Sequence, residues 1–421
     1  MLADFVLRGA GQVLTCAGPA PRRGSRQDDA SPVPGGAVAA FRGTIVFVGP
    51  TAECDRAVTP APGAIVLDAA GRAVVPGFVD PHTHVVFAGD RREELRRRLA
   101  GATYAEIAAA GGGILSTVRA TRDASEDDLV ASALPRLAEM LACGTTTAEV
   151  KSGYGLETGA EIRMLRAIRA LGERQPVDLV PTFLGAHEMP AEHRARRQGY
   201  LDVLVSEMIP AVAGLGLAEW CDVFCETGVF TPVESREILR AGQAAGLKAR
   251  IHADEMGASG GSDVAADVGA RSADHLLFVE PASAEAMARA GVVATLLPAA
   301  AFYLKLGRFA PARMLIERGV AVALATDVNP GGGFTPSMPF VVALACFGMG
   351  MTLEESLVAA TINAAYAIDR HESVGSLEAG KKMDAVVVAG SAVDLLRVGA
   401  PSVAAVIKGG RVVSGSLPRA S

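Results

Sequence analysis

Cysteine is sparse in this sequence, six residues in 421, and Cys143, Cys221, Cys225 and Cys346 sit inside apolar segments, which excludes a disulfide framework and reads as buried thiols. Alternation along a strand points Cys221 and Cys225 to one side, but no second pair completes a thiolate zinc site, so their reading is structural. Neither sign of charge dominates. Forty Lys and Arg face 46 Asp and Glu for a net charge of -6, and the basic cluster at 91–98 is interleaved with Glu93 and Glu94, so nucleic acid is a poor partner. Long hydrophobic runs are missing too: the charge-free stretch 328–353 is broken by prolines and a glycine run, and its apolar part is too short to cross a bilayer. Asp4 precedes any apolar run and no basic segment leads it, so the expected location is the cytoplasm. Half the residues are apolar, 20% are charged, and 47 Gly and 23 Pro follow no period, as in a soluble globular protein. The length allows two to three units, or one α/β barrel with an appended module.

The two ends of the chain look alike. Segments 1–16 and 36–49 read as short alternating strands around a loop at 18–36, and 384–388, 404–407 and 411–413 read as strands with Gly409-Gly410 at a hairpin turn. Neither set alone can bury a face, so both termini are expected to build one β-sandwich module, residues 1–73 with 371–421, bracketing a barrel at 74–370. Within that middle part, apolar β-branched runs at 74–79, 145–150, 179–184, 223–225, 249–253, 273–276, 292–297 and 320–325 alternate with helical stretches. Eight such repeats argue for a (β/α)8 barrel, an α/β fold whose site lies at the C-terminal ends of the strands.

Those strand ends carry the chemistry. Five of seven histidines fall there. His82 and His84 point the same way in an extended segment and can share one ion; His252 and Asp327, at later strand ends, would add a third nitrogen and a hard oxygen. Three imidazoles and a carboxylate suit zinc, iron or manganese.

With Pro76-Gly77-Phe78-Val79-Asp80-Pro81-His82-Thr83-His84 at one end of the barrel and Ala325-Thr326-Asp327-Val328-Asn329-Pro330-Gly331 at the other, the chain resembles the amidohydrolase superfamily. Its resemblance narrows to the imidazolonepropionase branch on Arg98-Leu99-Ala100-Gly101-Ala102-Thr103-Tyr104, Ala108-Ala109-Ala110-Gly111-Gly112-Gly113-Ile114 and Lys151-Ser152-Gly153-Tyr154-Gly155. The resemblance implies that His82, His84, His252 and Asp327 bind one Zn or Fe ion per subunit. It implies a small-molecule substrate, 4-imidazolone-5-propanoate, to whose ring an activated water adds to give N-formimidoyl-L-glutamate, the third step of histidine degradation. It also implies a homodimer.

Glu255, three residues after His252, and His275 at the next strand end are the expected proton carriers, with Asp327 also counted as catalytic. Substrate contacts are expected from Arg91, Tyr154, His187, Glu255 and the turn Asn329, Gly331, Gly332; Arg91 offers a fork for the propanoate tail, while Arg92 and 96–98 read as solvated charges. The backbone N–H groups of that turn are expected to receive the product's polar end. Relatives usually carry a hydroxyl residue where this chain has Gly332, so that side-chain contact is lost here. Lys151 follows the second strand, the wrong station for a carboxylated bridging lysine, which favours one metal and leaves Glu226 as the obvious recruit for a second. His193 and His371 read as surface residues. The rival enzyme reading is a purine or pyrimidine deaminase on the same scaffold, for which a carboxylate clamp would be pointless. The rival without catalysis is a barrel that has lost its metal, and all four expected ligands argue against it.

Overall fold

In a computed structural model of the chain, which describes residues 1–102, 106 and 111–420, the centre of the molecule is a run of parallel strands. Thr103, Tyr104 and 108–110 of the motifs quoted above lie outside the described residues. Phe78–Asp80, Thr145–Lys151, Asp178–Ala186, Trp220–Cys225, Ile251–Ala253, Ser272–His275, Val293–Leu296 and Ala321–Leu324 pair in that order, each parallel to the next. Every residue of Thr145–Lys151 is buried, as expected of strands covered on both faces.

The seam between the last and first strands is closed by the loops that follow them. Asp327 N donates to His82 O at 3.1 Å and His84 N to Val328 O at 2.9 Å, so the segments bearing the expected ligands lock to each other. Lower on the seam, the carboxamide of Gln27 stands in for a missing strand: Val322 N donates to its Oε1 at 3.1 Å and its Nε2 donates to Val322 O at 3.2 Å. Gln27 belongs to the short helix Gly24–Asp28, which gives the loop at 18–36 a structural task that its composition does not announce.

Two strand expectations need correction. The run at 74–79 is split at Gly77: Ala73–Pro76 pairs with the terminal strands Ala385–Val388 and Gln12–Leu14, and the barrel starts at Phe78. A Cβ at Gly77 would come within 2.3 Å of Thr146 Oγ1, so the crossing from one sheet to the other runs against the barrel wall where only glycine fits. The run at 249–253 falls into the pieces Lys248–Ala249 and Ile251–Ala253, but pairing with the fourth strand carries through Arg250, whose N donates to Cys221 O at 3.0 Å while its guanidinium donates to Asp274 at 3.0 Å.

The termini build a sandwich, as expected. One sheet runs Thr44–Pro50, Gly36–Phe41, Leu2–Arg8, Thr59–Asp68, and the other Arg411–Gly415, Val403–Lys408, Ala385–Val388, Ala73–Pro76, Gln12–Leu14, Pro32–Pro34. Phe5, Leu7, Val38 and Ile45 from the first meet Val13, Val74, Val387 and Ile407 from the second in one buried cluster. Gly409 and Gly410 both have positive φ, 56° and 74°, as the two-residue hairpin turn requires.

Candidate metal centre and substrate pocket

His82 and His84 leave the first barrel strand side by side, their Nε2 atoms 3.3 Å apart, and His252 at the end of the fifth strand completes a trio of buried imidazoles whose nitrogens lie within 4.8 Å of one another. Carboxylates buried behind the trio fix which nitrogen faces inward. His82 Nδ1 lies 2.7 Å from Asp274 Oδ2, and His252 Nδ1 lies 3.1 Å from Asp222 Oδ1. Each Nδ1 therefore carries the proton, and each Nε2 presents a lone pair to the centre of the trio. Among the described residues His252 Nε2, though buried, has no hydrogen-bond partner. His84 Nδ1 likewise lacks one, so no carboxylate sets the tautomer of that ring.

Electrostatics push the same way. Burial, reinforced by the Lys151 charge and the other imidazoles, drives His82 well below the usual histidine range; burial followed by the neighbouring rings does the same to His84. Both are neutral and free to ligate. Asp327 Oδ1 stands 3.6 Å from the Nε2 of His82 and of His84, and burial followed by the charge of Glu255 pushes its carboxyl well up. The inward lone pairs of His82 and His252, the neutral His84 ring beside them and a buried acid make a donor set that fits a cation.

Beneath the imidazoles lies a charge network that the sequence reading missed. Lys151 Nζ donates to Asp222 Oδ2 at 2.7 Å and to Glu149 Oε1 at 2.9 Å; Glu149 Oε2 accepts from Thr83 N at 3.2 Å, between the two histidines. Arg250 compensates Asp274 at 3.0 Å. The available signal was a charge inside an apolar strand, as in Trp220-Cys221-Asp222-Val223-Phe224-Cys225. Lys151, held by two carboxylates, is tied to this network.

Above the imidazoles opens a cavity of about 370 Å³. Its walls bring together Arg91, Tyr154, His187, Glu255, His275, Asn329, Gly331 and Gly332 with His84, His252 and Asp327, residues drawn from most of the barrel's strand ends. His275 Nδ1 is 3.5 Å from Glu255 Oε1, slightly long for a hydrogen bond, as is common before substrate arrives. Burial, aided by the Glu226 charge, pushes the Glu255 carboxyl up to about 8. Glu226 itself accepts from Thr227 N and Met256 N, both at 2.8 Å, and so fixes the turn beside Glu255. His187 Nδ1 meets Gly153 O at 3.0 Å, and its ring stacks on His84 at 5.0 Å between centroids. Tyr154 is displayed by a loop whose N–H groups at Gly153, Gly155 and Leu156 all donate to the buried Glu161 carboxylate.

The turn after the last strand differs in detail from expectation. The N–H groups of Gly331 and Gly332 donate to Asn329 Oδ1 at 2.8 and 2.6 Å, so the turn satisfies them internally. A Cβ at Gly332 would meet Leu304 at 3.2 Å: the missing side chain leaves an apolar wall. Arg98, expected to be solvated, reaches the cavity rim and donates to Tyr303 O and Gly331 O, both at 3.1 Å. His193 and His371, expected at the surface, are half-buried against Tyr200 and Tyr366 and lie away from the site.

Residues 73–414 match the model of the amidohydrolase family. Similar chains include the imidazolonepropionase of Symbiobacterium thermophilum, 53% identical over 386 residues with 91% of each chain covered. That of Geobacillus thermodenitrificans is 48% identical over 419 residues, 98% of each chain. Among solved structures, an adenosine deaminase from Xanthomonas campestris with bound zinc superposes with a TM-score of 0.69 at 18% identity, covering 98% of this chain and 93% of that one. An atrazine chlorohydrolase mutant from Arthrobacter aurescens, complexed with zinc, gives 0.68 at 16% identity over 99% and 95%. At such identity the likeness is one of fold.

Proposed function

Because this chain belongs to the amidohydrolase family, and within it to the imidazolonepropionases, we propose which of its residues carry each part of that hydrolysis. The enzyme opens the ring of 4-imidazolone-5-propanoate with water to give N-formimidoyl-L-glutamate in histidine degradation. In this reaction the oxygen of water bonds to the ring carbonyl carbon, the adjacent C–N bond breaks, and the departing nitrogen takes a proton.

The residues that would hold the metal, one Zn or Fe ion per subunit, are His82, His84, His252 and Asp327; when bound, such an ion lowers the pKa of water and polarises a carbonyl. The inward lone pairs of His82 and His252, with His84 close beside them, support this set. Glu255 and His275 move protons: a carboxyl raised to about 8 both accepts a proton from water and returns one to nitrogen near neutral pH. Arg91 holds the propanoate carboxylate, and Tyr154, His187, Asn329, Gly331 and Gly332 line the rest of the substrate's bed. A cytoplasmic location is supported by the six unpaired thiols, and a homodimer completes the reading.

The single observation that carries these assignments is that the Arg91 guanidinium lines one cavity with His84 and His252 of the three-imidazole cluster. A neutral purine or pyrimidine has no carboxylate for that guanidinium. Turnover of 4-imidazolone-5-propanoate is measured beside turnover of guanine and cytosine; faster deamination of either base overturns the assignments.

A further inference from the structure

We infer that Glu94 is a positioning residue for tail recognition: its buried carboxylate grips one edge of the Arg91 guanidinium and ties it to the backbone at Gly113. Glu94 Oε2 accepts from Arg91 Nε at 2.8 Å and lies 2.8 Å from Nη2, and the two side chains are only 11% and 10% exposed. Its other oxygen, Oε1, accepts from Gly113 N at 2.8 Å, at the start of the helix Ile114–Asp123 whose first residue lines the cavity. On the other side of the guanidinium stands the bare α-carbon of Gly331, where a Cβ would come within 2.4 Å of Arg91 Nη1. The fork is held between the Glu94 carboxylate and the backbone at Gly331, and Arg91 lines the cavity.

A second ion pair, on the helix Arg92–Leu99 that also carries Glu94, provides the contrast. Arg96 and Glu93 also stand three residues apart, at 3.3 Å, but are 81% and 71% exposed, the kind of pair that contributes little. The Arg91 pair is shielded from water, and it does before substrate arrives what binding would otherwise have to do: it orders a long side chain in one rotamer. Glu94 thereby sets how well the pocket distinguishes a carboxylate tail from a neutral one. This inference rests on the reading that Arg91 holds the propanoate carboxylate.

The experiment compares wild type, Glu94→Gln, Glu93→Gln, Arg91→Ala and the double variant Arg91→Ala/Glu94→Gln on 4-imidazolone-5-propanoate and on its side-chain amide. Glutamine keeps the acceptor for Gly113 N and loses the charge that holds the guanidinium. Glu94→Gln is expected to raise KM for the acid about 10- to 100-fold, the size of a lost charge-assisted hydrogen bond, with kcat within about twofold and the amide unaffected. The double variant should be no worse than Arg91→Ala, and Glu93→Gln should match wild type. Equal loss on both substrates, no loss, or a double variant much worse than Arg91→Ala overturns the inference. If Arg91→Ala itself injures both substrates equally, the tail reading of Arg91 fails and takes this inference with it. Should Glu94→Gln lose metal or unfold, Glu94→Asp is read on the same two substrates, with loss confined to the acid expected and equal loss overturning the inference.

Discussion

Asp222 holds His252 from behind: its Oδ1 lies 3.1 Å from His252 Nδ1 while its Oδ2 accepts from Lys151 Nζ at 2.7 Å. The proton so fixed on Nδ1 leaves Nε2 as a ligand. Asp222→Asn, which cannot enforce that tautomer, is expected to weaken metal binding about 10- to 100-fold, and Asp274→Asn should act likewise through His82. Competition of each purified variant against a chelator of known affinity checks this; unchanged affinity contradicts it.

Lys151 neutralises two buried carboxylates, and all three side chains are fully shielded from water. Lys151→Met leaves Glu149 and Asp222 without that partner and is expected to cost about 3–5 kcal/mol in stability. Denaturant unfolding of the metal-free protein measures the loss. A change below about 1 kcal/mol would mean that Arg250, 3.9 Å from Glu149, suffices alone.

Glu255 and His275 are assigned to proton transfer. Glu255→Gln and His275→Asn should lower kcat on the order of 100-fold or more while metal content stays at the wild-type level. Normal turnover removes the residue concerned from the mechanism, and a metal-free His275 variant would make that ring a ligand.

How much of this was legible in the sequence follows from what each signal depends on. His82, His84, His252 and Asp327 could be read because strand ends in a barrel converge on one face, so position alone brought them together. The acids behind them, Asp222 and Asp274, could not: strand alternation says that a side chain points inward, not that it faces a particular imidazole 3 Å away. The split at Gly77 was hidden because both halves of 74–79 are equally apolar, and periodicity does not reveal which sheet a strand joins. Gln27 closing the barrel seam had no local signature, since its partner lies 295 residues away. Arg98 looked solvated because a run of arginines does not show which one folds back over the rim.

Burial and the Glu226 charge push the Glu255 carboxyl up to about 8 from 4.5, so between those values the folded state keeps a proton that the unfolded chain releases. The folded state binds more protons there, so the contribution of Glu255 to stability falls as pH rises from about 4.5 to 8 and is level above. In the metal-free protein, Glu255→Gln should therefore gain stability relative to wild type as pH rises from 5 to 8. Unfolding midpoints at both pH values test this; a constant or shrinking difference contradicts it.

If His82, His84, His252 and Asp327 hold the metal with which this chain opens the imidazolone ring, activity and metal content must rise and fall together. The most direct measurement follows loss of the ring's absorbance with purified enzyme before chelator, after chelator, and after return of Zn or Fe, with metal content determined on each sample. About one equivalent of metal per chain is expected, with activity lost in step with the metal and recovered on its return. Full activity in a metal-free sample would contradict it.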